Sequence, residues 1–307
     1  MRVLVTGVTG YIGGALVDRL RAAGHEPLGF ARDPGRAPAD LDVVQGDVLS
    51  GQGLQRALDR VDAAYYLIHS LEPGANGSLL ERERRAADRF ATAAQRARVE
   101  RIVYLGGMAP RGAVPREHLA SRLAVEHILL AAAPSAIALR ASIVIGAGGR
   151  SFRFLVRLVE RMPVLVLPAW REHRTQPIDE RDVLASLVAA LELKTHEPRS
   201  LDVAGPNVLS YGAMIERIRD LMIVARPTWG LGFNATPLAS RVAAAIAGEA
   251  PELIEPLMGG LEQDVLPRTP TAAAQTAALL GVRRHSFDGA VEHALAEWEH
   301  VEPVRAR

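Results

Sequence analysis

The sequence contains no cysteine, and its single lysine is Lys194, so arginine supplies every other permanent positive side-chain charge. The absence of cysteine excludes disulfides, thiolate metal sites and a cysteine nucleophile, and it fits a protein of the reducing cytoplasm. The shortage of lysine argues against any mechanism that requires a lysine in a pocket.

Long hydrophobic runs and a strong net charge are also missing. No apolar stretch reaches the roughly 20 residues that a transmembrane helix needs. The chain opens on a strand-like segment from Arg2, so we expect no cleavable signal peptide. A net charge of +1 in 307 residues argues against a nucleic-acid partner. We therefore expect a soluble cytoplasmic protein without a transmembrane span, either a monomer or a homodimer.

Short apolar runs alternate with helix-like segments, which predicts βαβ units and a parallel sheet buried on both faces. The predicted strands are 2–5, 27–31, 42–45, 63–68, 101–105, 137–139, 164–167 and 201–203, with an extended piece at 175–178. The predicted helices are 12–23, stopped by Gly24, then 79–98, 117–131, 152–161, 179–193 and 211–224, the last capped by Ser210. Further helices punctuated by prolines follow, and the apolar segment Val242–Ile246 is interpreted as a surface helix or a substrate lid.

A glycine-rich loop lies between the first predicted strand and the first predicted helix, and reads Thr6-Gly7-Val8-Thr9-Gly10-Tyr11-Ile12-Gly13. In such a loop the first glycine permits a tight turn, the second lets the backbone approach a pyrophosphate, and the third lets the helix pack closely. The helix N-terminus offers free N–H groups to the anion. The loop predicts a dinucleotide site, and a glycine-rich turn in an unrelated α/β protein is the alternative.

The fold class that follows is α/β, a Rossmann-type doubly wound parallel sheet with a smaller, mostly helical C-terminal portion. We expect an NAD(P)-binding domain at residues 1–150. Residues 151–307 would supply the remaining Rossmann elements and a smaller substrate-binding portion, with a soft boundary between the two.

Several motifs resemble those of the extended and atypical short-chain dehydrogenases/reductases. They are the Gly-x-x-Gly-x-x-Gly spacing, the turn Gly46-Asp47-Val48, the segment Tyr65–Ser70, and the segment Leu139–Gly146, in which Ala141 stands where the family more often has proline. The resemblance covers most of the chain, strongly to about Leu193. Together with the glycine loop it implies these cofactor-binding residues: Thr6, Gly7, Thr9, Gly10, Tyr11, Ile12, Gly13, Arg32, Asp47, Val48, Leu67, His69, Gly106 and Ser142.

The end of the second strand bears on the choice between NADP and NAD. An NAD site places a carboxylate there to accept from the ribose 2′-hydroxyl. Here Ala31 occupies the position of the usual acid and Arg32 follows it, and arginine can clamp a 2′-phosphate. We expect NADP. Two alternatives remain: Asp33 would serve NAD if the register were shifted by one or two residues, or Arg32 would be only a solvated turn residue.

The catalytic positions depart from the family pattern. The family works with a Tyr-x-x-x-Lys pair and a serine, but here Gly106-Gly107 stands at the serine position. His118 and Arg122 stand at the tyrosine and lysine positions, in register with Glu126. This pattern resembles an atypical, NmrA-like subgroup.

Histidine titrates near neutral pH, so His118 could deliver a proton to a developing alkoxide. Arg122 stays charged and could bind the nicotinamide ribose or stabilise the oxyanion. The alternatives are that the pair is a solvated helix face and that His69 is the proton donor.

Three functions remain open. The first is an NADP-dependent oxidoreductase acting on a small, partly apolar carbonyl or alcohol whose identity the sequence does not reveal. The second is a non-catalytic NAD(P)H-binding redox sensor or assembly and regulatory protein, favoured by the loss of the tyrosine, lysine and serine together. The third is an isomerase or epimerase, which the loss of the tyrosine base leaves unsupported. No spacing of His, Asp and Glu suggests a metal site.

Overall fold

A computed structural model describes residues 1–69, 78–108, 117–233 and 260–301. Its strands are β1 (Arg2–Thr6), β2 (Glu26–Ala31), β3 (Val43–Gln45), β4 (Ala63–Tyr66), β5 (Arg101–Gly107), β6 (Ile137–Ala141), β7 (Val144–Ile145), β8 (Leu165–Leu167), β9 (Arg174–Thr175), β10 (Ile178–Asp179), β11 (Arg199–Val203), β12 (Leu209–Ser210) and β13 (Thr228–Gly230).

The α-helices of these segments are α1 (Tyr11–Ala22), α2 (Leu54–Ala57), α3 (Leu79–Arg96), α4 (Glu117–Leu130), α5 (Arg150–Arg161), α6 (Glu180–Glu192), α7 (Tyr211–Leu221), α8 (Ala272–Leu280) and α9 (Phe287–Val301). Two short 3₁₀ helices, Pro34–Arg36 and Ala169–Glu172, join them.

Seven strands form one parallel sheet in the spatial order β11-β6-β5-β4-β1-β2-β3. The order reverses at β1, which lies between β2 and β4. In open α/β sheets this reversal opens a crevice at the carboxyl ends of the strands, where ligands bind. The predicted Rossmann-type doubly wound sheet is confirmed.

Helices cover both faces of the sheet, and the strands at its centre are accordingly mostly apolar, whereas β6 and β11 at one edge also carry polar residues. On one face α1 and α6 bury Leu16, Leu20 and Leu187 against the sheet. On the other face α3 and α4 bury Phe90 and Leu129. The packing of helices on each face thus removes apolar surface from water, and this burial is the main source of stability of such a fold.

A separate hydrophobic cluster holds the later part of the chain together. It joins α5, α7 and α9 to β8 through buried residues such as Phe152, Trp170, Ile215 and Trp298. Strand β11 crosses back to pair with β6 at the edge of the main sheet. The later half of the chain therefore contributes both to the main sheet and to this separate hydrophobic cluster.

The predicted element boundaries agree with the structure to within a few residues, and two predicted caps are present. Gly24 follows α1 with a φ of +79°, a conformation that favours glycine. The Ser210 side chain accepts a hydrogen bond from the Ala213 N–H at 3.1 Å and caps α7. The short pairs β7–β10, β9–β12 and β8–β13 were not predicted as pairs. The interpreted lid at Val242–Ile246 lies outside the described residues.

Helix α4 is fixed to the sheet by buried polar contacts. Glu126, which is 1% exposed, accepts hydrogen bonds from the Arg140 guanidinium of β6 at 2.6–3.1 Å and from the Ser200 hydroxyl of β11 at 2.5 Å. Ser121 donates to the buried Glu83 carboxylate of α3. These contacts set the rotation of α4 and hence the direction in which Arg122 projects.

Across the four described segments, no helix is long and apolar enough to cross a membrane.

Candidate functional site

A cavity of about 790 Å³ runs along the carboxyl edge of the main sheet, between the loops that follow β1, β2, β3, β4, β5 and β6. Its volume lies in the upper part of the range typical of ligand sites. The predicted site residues that line it are Gly7, Thr9, Gly10, Tyr11, Ile12, Gly13, Arg32, Asp47, Val48, Leu67, His69, Gly106, Arg122 and Ser142.

Of the two remaining predicted site residues, Thr6 is placed differently and His118 has no described side chain. Thr6 is fully buried behind the glycine loop, where its hydroxyl donates to the Tyr65 carbonyl at 2.9 Å and accepts from the Leu67 N–H at 3.3 Å. It joins β1 to the end of β4 and thereby positions two walls of the cavity. His118 belongs to α4, but its side chain lies outside the described residues.

The glycine loop is shaped by contacts that leave no room for side chains. Gly7 has a φ of +73°, and a Cβ added there would lie 2.7 Å from the Leu67 carbonyl oxygen. A Cβ added at Gly13 would lie only 2.2 Å from the Gly7 carbonyl oxygen. The backbone can therefore fold against itself and bring the start of α1 to the cavity.

The start of α1 suits an anion. Gly10 is the N-cap residue, no side chain caps the helix, and no acidic residue lies in its first turn. The first N–H groups of a helix lack partners within the helix, and its dipole favours negative charge. A pyrophosphate fits this position.

The loop after β2 separates Asp33 from the two arginines near it. The Asp33 carboxylate accepts the Gly35 N–H at 3.1 Å and caps the 3₁₀ helix Pro34–Arg36. Arg32 and Arg36 both line the cavity, and neither guanidinium has a carboxylate partner among the described residues. The Gln45 side-chain amide donates to the Arg32 carbonyl at 3.1 Å and steadies this loop. Sequence reasoning found Arg32 and missed Arg36.

The turn after β3 is held tightly. A Cβ added at Gly46 would lie 2.3 Å from the Gln52 carbonyl oxygen and 2.5 Å from the Phe30 ring. One Asp47 carboxylate oxygen accepts the Leu49 N–H at 3.1 Å. Asp47 and Val48 are thus presented at the end of the cavity beyond Arg32.

At the other end, Arg122 lies against the close of β5. A Cβ added at Gly107, the family's serine position, would sit 3.7 Å from the Arg122 Cγ, which is ordinary van der Waals contact. Arg122 Nη1 is buried without a hydrogen-bond partner in the described part of the chain. Burial lowers the pKa of Arg122 to about 10, against an opposing effect of Tyr66. Arg122 is therefore charged at neutral pH, and its buried Nη1 is left without a described partner.

The ring of His69 lies edge-on to the Tyr104 ring, with centroids 6.0 Å apart, and His69 itself is exposed at the cavity wall. The Tyr104 hydroxyl donates to the Arg122 carbonyl at 3.2 Å. Burial raises the pKa of Tyr104 well above its usual value, so the phenol keeps its proton. Tyr104 thus supports both His69 and the backbone of α4 rather than offering a base.

A buried carboxyl lies behind the glycine loop. Glu180 begins α6 and is 8% exposed; one ligand atom each of Glu180, His293 and Glu297 lie within 4.8 Å of one another. Burial, and then the Glu297 carboxylate, raise the pKa of Glu180 to about 7, with Arg181 opposing. Sequence spacing gives no sign of this cluster, because helix packing alone brings α9 to α6.

Glu180 also approaches Tyr11 of the loop. A Cβ added at Gly146 would lie 1.8 Å from Glu180 Oε2 and 2.5 Å from the Tyr11 hydroxyl. Both atoms are buried and lack hydrogen-bond partners among the described residues. Glu180 therefore gains or loses its proton next to Tyr11, a residue that lines the cavity.

Comparison with known proteins agrees with this geometry. A family model described as NAD(P)H-binding matches residues 7–144. The ceramide reductase of Caulobacter vibrioides is 31% identical over 194 residues, which are 61% of this chain and 60% of that protein. A 3 beta-hydroxysteroid dehydrogenase/Delta 5-->4-isomerase of Mycobacterium tuberculosis is 33% identical over 113 residues, 34% of this chain and 30% of that protein. The chain thus spans less than two thirds of either relative.

Among solved structures, UDP-glucuronic acid 4-epimerase from Bacillus cereus in complex with NAD has a TM-score of 0.71 at 15% identity, covering 98% of this chain and 99% of that one. At this identity the likeness shows the fold. Together these matches agree with the resemblance to the short-chain dehydrogenases/reductases, and residues 7–144 are similar to NAD(P)H-binding domains.

The glycine contacts yield a first prediction. Gly13→Ala should abolish NADPH binding, because its Cβ would collide with the Gly7 carbonyl oxygen and push the loop away from α1. The neighbouring Gly14→Ala is the matched control, since its Cβ would lie at an ordinary 3.4 Å from the Val8 carbonyl oxygen. Calorimetric titration of NADPH into both variants measures the difference, and equal affinities would contradict the packing role of Gly13.

Glu180 yields a second prediction. Because its folded-state pKa is raised, the folded protein binds the proton more tightly, and stability falls as pH rises from about 4.5 to about 7. Glu180→Gln, which stays neutral, should lose this pH dependence and gain roughly 2 kcal/mol over the wild type at about pH 8. Urea denaturation across this pH range measures it. A wild type and a variant with parallel profiles would show that Glu180 titrates normally.

Proposed function

We propose that the protein is an NADP-dependent oxidoreductase, a function supported by the match of residues 7–144 to a model described as NAD(P)H-binding and by the fold of the chain. Its substrate is a small, partly apolar carbonyl compound or the corresponding alcohol. The observation that carries this proposal is that the glycine loop, Arg32 and Arg122 all line one cavity.

The cofactor is NADP because of the charges at the end of β2. Arg32 and Arg36 supply two guanidinium groups at the cavity, and a 2′-phosphate is the anion that such groups clamp. The nearby carboxylate of Asp33, which in an NAD site would accept the ribose hydroxyl, is engaged with the Gly35 N–H. The pyrophosphate occupies the start of α1, and Asp47 and Val48 border the adenine.

This assignment predicts the effect of removing either arginine. Arg32→Ala and Arg36→Ala should each weaken NADPH binding about tenfold or more, as expected for the loss of a charge-assisted contact, and should leave NADH binding nearly unchanged. Arg19→Ala, an exposed arginine of α1 that does not line the cavity, is the control. Quenching of protein fluorescence by each nucleotide gives the affinities. Equal losses for NADPH and NADH would exclude a 2′-phosphate contact.

When bound in its reduced form, the cofactor supplies a hydride for the carbonyl carbon. The electron pair of the carbonyl bond moves onto oxygen, which then takes a proton from His118 of α4. Arg122, one helical turn further along, lines the cavity and stays charged, so it binds the nicotinamide ribose and stabilises the developing oxyanion.

The rest of the cavity suits an apolar substrate. Beyond Gly106 its wall is formed by Phe154, Leu155, Leu261 and Val265. Apolar walls with a few polar groups are typical of small-molecule sites that discriminate by shape. Ceramide and steroid, which the names of the two sequence relatives mention, are also largely apolar, and this supports an apolar substrate here.

The roles of the two residues are separable by mutation. His118→Ala should reduce NADPH oxidation at least a hundredfold, the usual contribution of a general acid, with NADPH affinity nearly intact. Arg122→Ala should weaken NADPH binding as well. The measurement is turnover of a panel of aliphatic and aromatic ketones and aldehydes, followed by NADPH absorbance, alongside cofactor affinity. His127→Ala, an exposed histidine of the same helix, is the control.

The same experiment separates the proposal from a non-catalytic role. A redox sensor or assembly protein would bind NADPH and turn over no member of the panel. Loss of affinity in both variants to the same extent would instead contradict the division of roles between His118 and Arg122.

A further inference from the structure

The strand pair β8–β13 has one packed face and one face open to water. Val166 of β8 and Trp229 of β13 are register partners, and both residues are exposed, Trp229 to 69%. The neighbouring Leu165 and Leu167 are buried in the hydrophobic cluster of α5, α7 and α9. Side chains alternate between the two faces along a strand, so the pair turns two large apolar residues away from the core.

The exposed apolar surface continues past the end of β13. The Leu231 N–H donates to the Leu167 carbonyl at 2.8 Å, and the Ala169 N–H donates to the Phe233 carbonyl at 3.2 Å. The chain therefore stays beside β8 and its continuation as far as Phe233, which is 61% exposed. A second aromatic residue is thus presented to water in the same region.

The end of α7 adds a fourth exposed apolar residue, Ile223. It follows the C-cap residue Met222 and is 86% exposed, with a φ of +56°. This left-handed conformation suits glycine, and it is strained for a β-branched residue. The Arg219 guanidinium donates to the Arg226 carbonyl at 3.2 Å and to the Thr228 hydroxyl at 2.8 Å, which ties the end of α7 to β13. Neither burial nor backbone conformation accounts for isoleucine at this position.

These four residues form a surface that we call the apolar patch: Val166, Ile223, Trp229 and Phe233. In the described part of the chain, seven large hydrophobic residues are exposed, and four of them belong to this patch. Single exposed apolar residues are common on protein surfaces, whereas a concentration of them marks an interaction site.

The charged residues within the patch are all arginines. The stretches 161–168 and 222–233, which contain it, include Arg161 and Arg226 but no acidic residue and no lysine. Arg161 is exposed and Arg226 is half-buried. The patch therefore combines apolar side chains with positive charge.

The acidic residues nearest to these stretches in sequence leave the charge positive. Asp220 pairs with Arg219 at 2.7 Å, and Glu160 lies 4.0 Å from Arg161. With Arg226, three arginines stand against two carboxylates. A symmetric dimer through this patch would bring the arginines of two copies together, and like charges at close range repel. An anionic partner meets the same arginines favourably.

We propose that the apolar patch docks on a membrane surface that contains anionic phospholipids. Ile223, Trp229 and Phe233 enter the boundary between headgroups and acyl chains, where aromatic rings are favoured and apolar surface leaves water. Arg161 and Arg226 lie at the level of the lipid phosphates and attract them. None of these residues lines the cavity, so the inference is independent of the proposed oxidoreductase function.

Cosedimentation of the full chain with vesicles tests this proposal. One set of vesicles is phosphatidylcholine alone, and the other holds equal parts of phosphatidylcholine and phosphatidylglycerol. The wild type should bind the mixed vesicles about tenfold or more tightly, the factor that two arginines supply near an anionic surface. Ile223→Gly and Trp229→Ser should each weaken this binding about fivefold or more, because each removes apolar surface that the membrane buries.

The matched control is Leu279→Ser, which removes an exposed apolar residue of α8 and should bind like the wild type. Ile223→Gly relieves the left-handed strain, so the test survives if Trp229→Ser fails to fold.

Trp229 also reports its own position. The chain has three tryptophans, and the other two, Trp170 and Trp298, are buried. Mixed vesicles should therefore shift the fluorescence emission of the wild type to shorter wavelength. Trp229→Phe, which keeps an apolar ring, should still bind these vesicles and show no shift.

Equal binding of the wild type and Ile223→Gly to the mixed vesicles would overturn the proposal. So would a wild type that binds neither kind of vesicle, or binds both equally. Self-association without lipid that rises with protein concentration and is lost in Trp229→Ser would assign the patch to a second copy of the chain, and this result would also overturn membrane docking.

Discussion

The close approach of α1 to the loop after β1 is the contact on which the rest of the site depends. The Gly7 carbonyl oxygen occupies the space that a side chain at Gly13 would need. This contact brings the free N–H groups of the helix to the crevice at the strand-order reversal, where the parallel sheet already exposes its carboxyl edge. Thr6 then ties the same loop to the end of β4, so these two walls of the cavity are held together.

The glycine loop resembles that of the family, whereas the residues at the family's catalytic positions differ from the usual ones. Arg122 of α4 lies beside Gly107 at the end of β5, and its buried Nη1 has no hydrogen-bond partner among the described residues. The buried contacts of Glu126 and Ser121 fix α4 in that orientation. A helix held so firmly presents a preorganised charge, which is the condition under which an oxyanion is stabilised effectively.

Sequence patterns predicted the sheet, most helix boundaries and the residues of the glycine loop, because local periodicity and turn chemistry dictate those features. They did not predict Arg36 at the cavity, the cap that engages Asp33 or the carboxyl cluster at Glu180. The cluster depends on α6 and α9 being brought together by tertiary packing, which spacing along the chain does not encode. Arg36 and the Asp33 cap are local, but they depend on the path of the loop after β2, which no periodic pattern specifies. The roles of His118 and Arg122, the cytoplasmic location, the absence of a nucleic-acid partner, the domain boundary near residue 150 and the monomeric or dimeric state stay predictions.

The central claim is that the cavity at the carboxyl edge holds NADPH. Calorimetric titration of NADPH into the wild-type protein, repeated with NADH, tests it most directly. The account predicts one NADPH per chain and markedly weaker binding of NADH. Absence of binding by either nucleotide would show that the fold has been kept without its cofactor, and the oxidoreductase function would then be wrong.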